Sequence, residues 1–248
     1  MDRDTKIRLE SQERILPKFA RTFHLPLEPN ASRDDLIAPL SSLSILKDHT
    51  LVVEEKVDGA NVGITIHEGQ PVIRNRNYIL NKGYGRKDTP AKKQYAPLWN
   101  WFYSNTYKFL ALEKLLGFTP SVYGEWLYAR HTIEYDRLPD YFIAYDIYCP
   151  DEQKWLAPSR YRAALEEAGF SVVPKVAWGP VSQDELKLMR DERSEFSSTS
   201  QCEGLYLKTA TDLYGLEYCA TRLKMVRNAF ITDDHWNNKS LVTNKLTN

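Results

Sequence analysis

Only three cysteines, Cys149, Cys202 and Cys219, occur in the 248 residues. They are too few and too widely spaced for a disulfide framework, and no Cys-x-x-Cys or spaced histidine set offers a zinc site. No apolar run approaches a membrane span, and the start, Met1 to Lys6, lacks the basic and apolar stretches of a secretory signal. These absences point to a chain of the reducing cytoplasm with no membrane partner. Net charge is missing too: 33 Lys and Arg balance 33 Asp and Glu, so the whole molecule does not advertise a polyanionic partner. Internal repeats and low-complexity tracts are also absent.

What is present reads as an ordinary globular chain: 42% hydrophobic and 27% charged residues, enough to bury a real core. Charge is concentrated locally. Between Arg74 and Lys93 stand Arg74, Arg76, Lys82, Arg86, Lys87, Lys92 and Lys93 against one acid, Asp88. That density suits a phosphate backbone, and equally a solvated loop and helix start.

Residues 1–49, with prolines at 17, 26, 29 and 39 and little periodicity, form an irregular lead-in packed on a domain spanning 50–248. From Thr50 a period of two predicts strands over Leu51–Val57, Asn61–His67 and Pro71–Arg74, an antiparallel start. Residues 91–116 predict one or two helices stopped by Gly117, followed by strands over Ser121–Tyr128 and Tyr141–Tyr148. A helix from Ser159 stops at Gly169, and another opens at Ser182 with Glu185 in capping-box spacing. After a polar loop, Ser194–Gln201, strands are expected over Cys202–Thr209 and Tyr218–Val226. Strands running in pairs with helices inserted predict an α+β architecture of antiparallel sheets with flanking helices and a cleft between them.

The strongest local signal is Lys56-Val57-Asp58-Gly59-Ala60-Asn61. A lysine at a strand end is fixed in place, and Gly59 would let a phosphate or ribose approach without a Cβ in the way. An Asp-Gly hairpin turn with a solvated lysine explains the hexapeptide about as well.

This hexapeptide resembles the nucleophile motif of the covalent nucleotidyltransferases, the superfamily of DNA ligases, RNA ligases and mRNA capping enzymes. Further stretches resemble its other motifs in order: Arg74-Asn75-Arg76-Asn77, Tyr123-Gly124-Glu125, Phe142-Ile143-Ala144-Tyr145-Asp146, Glu203-Gly204-Leu205-Tyr206-Leu207-Lys208, and Arg222-Leu223-Lys224-Met225-Val226-Arg227. Gly124 to His131, Phe19 to Pro26 and the tail around His235-Trp236 look closest to RNA ligases.

The resemblance implies an ATP-dependent adenylation domain with Lys56 as nucleophile and Lys224 as its catalytic partner. Glu55, Asn61, Arg76, Glu125, Tyr145, Glu203, Lys208, Arg222, Lys224 and Arg227 would contact the nucleotide, with Tyr145 stacking on adenine and Phe142 the alternative. Glu55 should face away from Lys56 and act through its backbone. Asp58 and Glu203 would hold Mg2+, with Mn2+ as substitute. Neighbouring cations should lower the Lys56 pKa. Whether Arg222 or Arg227 partners Lys224 stays open, and Arg130-His131 could meet a 5′-phosphate or brace a turn. RNA ends, 5′-phosphate and 3′-hydroxyl, are the implied partner; a DNA nick or nucleotide binding without catalysis are the alternatives. About twenty residues after Arg227 leave no room for a C-terminal OB-fold, so a partner protein is expected to help engage RNA.

Overall fold

The computed structural model describes residues 10–27, 36–82, 84, 89–215, 221–227 and 240–247. In chain order the strands are β1 (Phe23–His24), β2 (Leu51–Lys56), β3 (Ala60–His67), β4 (Gln70–Asn75), β5 (Ser121–Trp126) and β6 (Phe142–Cys149). They continue with β7 (Lys154–Trp155), β8 (Lys175–Gly179), β9 (Gly204–Thr209), β10 (Leu213–Tyr214) and β11 (Arg222–Val226). The helices are α1 (residues 10–15), α2 (Ile45–Asp48), α3 (Pro90–Lys93), α4 (Leu98–Leu116), α5 (Pro158–Glu167) and α6 (Gln183–Arg190).

One sheet has the order β1-β11-β9-β2-β8, antiparallel except for the short β1–β11 pair. The other has the order β10-β7-β6-β5-β3-β4 and is antiparallel throughout. This is the α+β arrangement expected, with one correction. The strands before and after Asp58-Gly59 do not pair as an antiparallel start: β2 lies between β9 and β8, whereas β3 lies between β4 and β5. Residues 57–59 therefore carry the chain from one sheet to the other.

Local signals place the ends of the elements. Gly117 closes α4 at φ 76, a left-handed conformation cheap only for glycine, and its amide returns to the Glu113 carbonyl. Pro158 opens α5, where its missing N–H costs nothing. The Ser182–Glu185 capping box forms in both directions.

Strand alternation then decides what faces the cleft. In the first sheet Leu51 and Val53, Leu205 and Leu207, and Leu223 and Met225 pack in one cluster with Ile45, Leu46 and Leu186. Their neighbours, Glu54 and Lys56, Tyr206 and Lys208, Arg222 and Lys224, take the opposite face. In the second sheet Val62, Ile64, Val122, Trp126 and Phe142 pack with Leu98, Phe102 and Leu112 of α4 and Tyr161 and Leu165 of α5. Tyr123, Ile143 and Tyr145 belong to a different cluster, which Leu16 and Phe19 of the lead-in complete.

The chain's last described segment also packs inward. Thr243 bridges Ala129 and Leu246 bridges Leu138. Asn244 donates to the carbonyls of Leu127 and Ala129 and accepts from the Tyr135 amide. Among the described residues no helix is long and apolar enough to cross a membrane. Arg86, Lys87, Cys219, His235, Trp236 and the predicted strand start at Tyr218 lie outside the described residues.

Candidate active site

Lys56 ends β2, and its ammonium meets Glu203 Oε2 at 2.5 Å across the β2–β9 pair. The register explains the approach: Lys56 stands opposite Gly204, directly after Glu203. A Cβ on Gly204 would come within 2.1 Å of the Met225 carbonyl oxygen, so β9 and β11 can close here only around glycine. Burial works to lower the Lys56 pKa, but Glu203, with Tyr206 and Glu125 behind it, outweighs burial and holds it above the usual lysine range. This corrects the expectation of a lysine depressed by cations. The charge in contact with the amine is a carboxylate.

Glu125 stands on β5 opposite Asn61 on β3. Burial pushes its carboxyl up to about 8; Lys56 opposes this and Glu203 and Asp58 add to it. Burial also raises the Glu203 pKa, with Lys56 opposing and Asp58 reinforcing. The Asn61 amide nitrogen donates to the Tyr145 hydroxyl. Its Oδ1 is buried without a hydrogen-bond partner. A small pocket beside these groups is lined by Glu54, Glu55, Val57, Glu125, Tyr145, Val173 and Tyr206.

Of the two aromatic candidates, Tyr145 lines the pocket, with the Lys208 ammonium 5.0–5.3 Å from the Tyr161 and Tyr145 ring centroids. Phe142 lies on the opposite face, fully buried against Trp101. Glu55 touches the pocket, but its carboxylate takes the Ser194 hydroxyl at 2.5 Å and the Glu195 amide at 3.1 Å. Burial pushes its pKa up to about 6, against those two hydrogen bonds.

Asp58 sits in the crossover between the sheets. Its Oδ2 accepts from the amides of Thr132 and Ile133 at 2.7 and 3.0 Å, and its own amide donates to the Tyr135 hydroxyl. His131 Nδ1 lies 3.8 Å from Oδ1, and burial holds that histidine down at about 4, with Asp58 opposing and Lys56 reinforcing. Gly59 does not open the site to a ligand, contrary to expectation: a Cβ there would meet Leu127 Cδ2 at 2.5 Å and the Trp126 carbonyl oxygen at 2.8 Å. The glycine is needed because the chain passes against β5. Among the described residues no group of three or more His, Cys, Asp or Glu is gathered as a metal cage.

Lys208 and Arg222 stand away from Lys56, inside a buried ionic cluster. Lys208 Nζ lies 2.7 Å from Glu54 Oε2 and 3.5 Å from Asp146 Oδ2, and donates to the Tyr145 carbonyl. Arg222 Nη1 reaches both Asp146 oxygens at 2.9 and 2.7 Å, and Arg162 Nη1 reaches Glu54 Oε1 at 2.6 Å. Both cations are 1–2% exposed. Arg227 donates to the Cys202 carbonyl and Gln201 Oε1. Lys224 itself lies close enough to Glu203 to lower its pKa.

Arg76 is exposed in the turn after β4 and acts on Glu125 electrostatically. Arg74, counted in the basic run, is buried and bound to Glu13 and the Leu16 carbonyl. Arg130 pairs with Glu134 on the surface. Tyr135, Asn244, Ser194 and Tyr206 went without a role in the sequence reading. Tyr206 lay within a recognised motif, but the bonds of the others join residues 77 to 139 positions apart, which no local spacing signals.

Comparison with known proteins places this geometry. No curated protein matches the chain. Solved structures of Naegleria gruberi RNA ligase do: one with PPi aligns at TM-score 0.56 and 18% identity, covering 87% of this chain and 62% of that one. A variant of the same enzyme with ATP and Mn gives TM-score 0.57, 16% identity, and 86% and 62% coverage. An apo variant gives 0.53 and 16%, with 93% and 81% coverage. This chain thus spans 62% of the first of those chains, and at these identities the likeness is one of fold. The family model described as RNA ligase matches residues 49–226, from the start of β2 to the end of β11 and so across both sheets of the cleft. With more than half its length matched, and Lys56, Glu125 and Glu203 brought together inside that span, the chain belongs to the RNA ligase family.

Proposed function

We propose that this chain is an ATP-dependent RNA ligase that joins a 3′-hydroxyl to a 5′-phosphate through a lysyl-AMP intermediate. The observation that carries the reading is Lys56, fixed at a strand end 2.5 Å from Glu203, beside a pocket containing Glu125 and next to the unpartnered Asn61 oxygen. The ligands bound in the Naegleria gruberi structures, PPi in one and ATP with Mn in another, support the same substrates here.

In the first step the Lys56 ammonium gives up its proton, Glu203 Oε2 at 2.5 Å being the acceptor in reach, and the neutral nitrogen attacks the α-phosphorus of ATP; a P–N bond forms while the bond to pyrophosphate breaks. A 5′-phosphate oxygen of the nucleic acid then attacks the adenylyl phosphorus, and the protonated lysine nitrogen leaves. Finally the 3′-hydroxyl oxygen attacks the activated 5′-phosphorus, its proton departs, AMP is released and the strand is sealed. Lys224 and Arg76 supply fixed positive charge for the phosphates. Asn61 Oδ1 and Glu125 offer acceptors for ribose hydroxyls, and Tyr145 with Val57 and Val173 gives the base an aromatic and apolar wall.

Burial raises both Glu125 and Glu203, and repulsion adds to it, from Glu203 and Asp58 on Glu125 and from Asp58 on Glu203, an excess of negative charge that a divalent cation would relieve. Mg2+, or Mn2+ in its place, would neutralise phosphate oxygens when bound. We assign Glu203 to hold it, the remaining ligands being water and phosphate, as magnesium prefers. Asp58, occupied by two amides, we assign to bracing, and Lys208 and Arg222 to the frame behind the nucleotide. The buried free thiols Cys149 and Cys202 suit a reducing cytoplasm.

The test is covalent labelling. Incubation with radiolabelled ATP or GTP and magnesium is expected to give an adenylylated protein from ATP, lost in Lys56→Ala. A labelled alanine variant would end the proposal. The RNA assignment is tested with matched nicked duplexes whose 3′-hydroxyl strand ends in ribose or deoxyribose; equal sealing of the all-DNA nick would replace RNA by DNA as substrate.

A further inference from the structure

Between Glu68 and Glu113 the sequence contains one acid, Asp88, and among the described residues of this stretch Tyr78, Tyr103, Tyr107 and Leu110 are exposed. Tyr95 in this stretch is buried, and its ring meets that of Tyr84 with centroids 5.8 Å apart. Tyr84 meets the half-exposed Tyr78, ring centroids 6.3 Å apart, and the Lys92 ammonium stands 5.8 Å from the Tyr84 ring. Tyr78 is held out by a fixed turn: Asn75 Oδ1 accepts from the amides of Asn77 and Tyr78, and Asn75 N donates to the Tyr78 carbonyl. Two residues before Tyr84, the Lys82 ammonium lies 5.0 Å from the ring of Tyr103 on α4. From Tyr103 the outer face of α4 continues through Tyr107 and Leu110, at helical spacings of four and three, exposed by 48, 62 and 53%.

We propose that this surface, from Tyr78 past Lys82 and Tyr84 to Tyr103 and Tyr107, is a track for single-stranded RNA flanking the end to be joined; the inference rests on the ligase reading above. Exposed rings give every base a face to stack on, and lysines between them meet the phosphates. Lysine is depleted from protein–protein interfaces, whereas here it alternates with tyrosine, which favours RNA over a protein partner or a second copy. Arg76, in the same turn as Tyr78, marks where the track enters the site. Stacking and phosphate contacts do not sense the 2′-hydroxyl, so discrimination of RNA from DNA belongs to the site and affinity to the track.

The test combines Tyr103→Ala with Tyr107→Ala in one variant and uses Lys82→Ala as a second. Leu188→Ala, at an exposed position on α6, serves as control. Binding of a fluorescent single-stranded oligoribonucleotide is measured over a range of salt, alongside covalent labelling by ATP, thermal melting and sedimentation. The tyrosine variant is expected to bind RNA about ten-fold or more weakly while melting and labelling like the parent. Lys82→Ala should flatten the log–log salt slope by about one. Unchanged RNA binding by the tyrosine variant would overturn the track, as would a parental dimer that this variant dissociates. If the parent takes no label from ATP yet the tyrosine variant still loses RNA, the ligase reading fails and the track stands.

Discussion

The Tyr135 hydroxyl accepts a hydrogen bond from the backbone amide of Asp58 at 2.7 Å, tying the crossover behind Lys56 to a loop 77 residues downstream. The loop answers in kind. Asp58 Oδ2 takes the amides of Thr132 and Ile133, and Asn244 holds the Tyr135 amide from the opposite side. Tyr135→Phe removes the acceptor and strands the Asp58 N–H, a cost of about 1–3 kcal/mol. The expected result is a lower melting temperature together with slower labelling by ATP at saturating nucleotide. A variant that melts lower but labels at the parental rate would show that the tether serves stability alone.

The cluster of Glu54, Lys208, Asp146 and Arg222 gives a second prediction. Lys208→Met leaves Glu54 and Asp146 with one fewer cation in a dry interior, and removing one partner of such a cluster costs about 3–5 kcal/mol. Urea unfolding should show the loss whether or not ATP is present. If Lys208→Met instead unfolds like the parent and fails only in labelling, the lysine contacts the nucleotide after all.

Why Lys208 and Arg222 read as nucleotide contacts in the sequence is instructive. The motif resemblance groups both with Lys56 and Lys224, and in the sheet both take the same face as those lysines. What that grouping omits is position along the strand: Lys208 and Arg222 pair with each other at one end of the sheet, and Lys56 sits opposite Gly204 at the other. Periodicity also found β2 to β6, α4 to α6, β9 and the end of β11. It missed β8, because Lys175–Gly179 is a short, mostly exposed edge strand between Pro174 and Pro180 without an alternating apolar face. The sheet partners of β2 were not legible, since an Asp-Gly pair between two strands suggests a hairpin and only the whole topology shows a crossover.

Glu55 predicts a pH dependence. Its folded pKa, raised to about 6 by burial against the ordinary 4.5, means that the folded protein keeps a proton which the unfolded chain has released. Stability from this group is therefore highest below pH 4.5 and declines as pH rises toward about 6, by on the order of 2 kcal/mol. Glu55→Gln keeps the shape and removes the titration. Urea midpoints of parent and variant, measured from pH 4.5 to 7, should shift in favour of the variant across that window. A difference between them that is independent of pH would refute the assignment.

Gly59 separates two accounts of the nucleophile motif. If glycine serves to admit a phosphate or ribose, Gly59→Ala should leave the fold intact and raise the ATP concentration needed for labelling. The structure points elsewhere, because the added Cβ would fall 2.5 Å from Leu127 Cδ2, 2.8 Å from the Trp126 carbonyl oxygen and 2.9 Å from Glu125 Cγ. The Leu127 methyl could rotate away, but the backbone oxygen cannot, so the crossover must shift away from β5. Such overpacking costs about 1–3 kcal/mol, and it displaces Asp58 and Lys56 together. Gly59→Ala is therefore expected to melt lower and to label slowly even at saturating ATP, with little change in the ATP concentration giving half-maximal rate. A normal melt combined with a raised half-maximal concentration would restore the ligand-approach account and overturn the packing one.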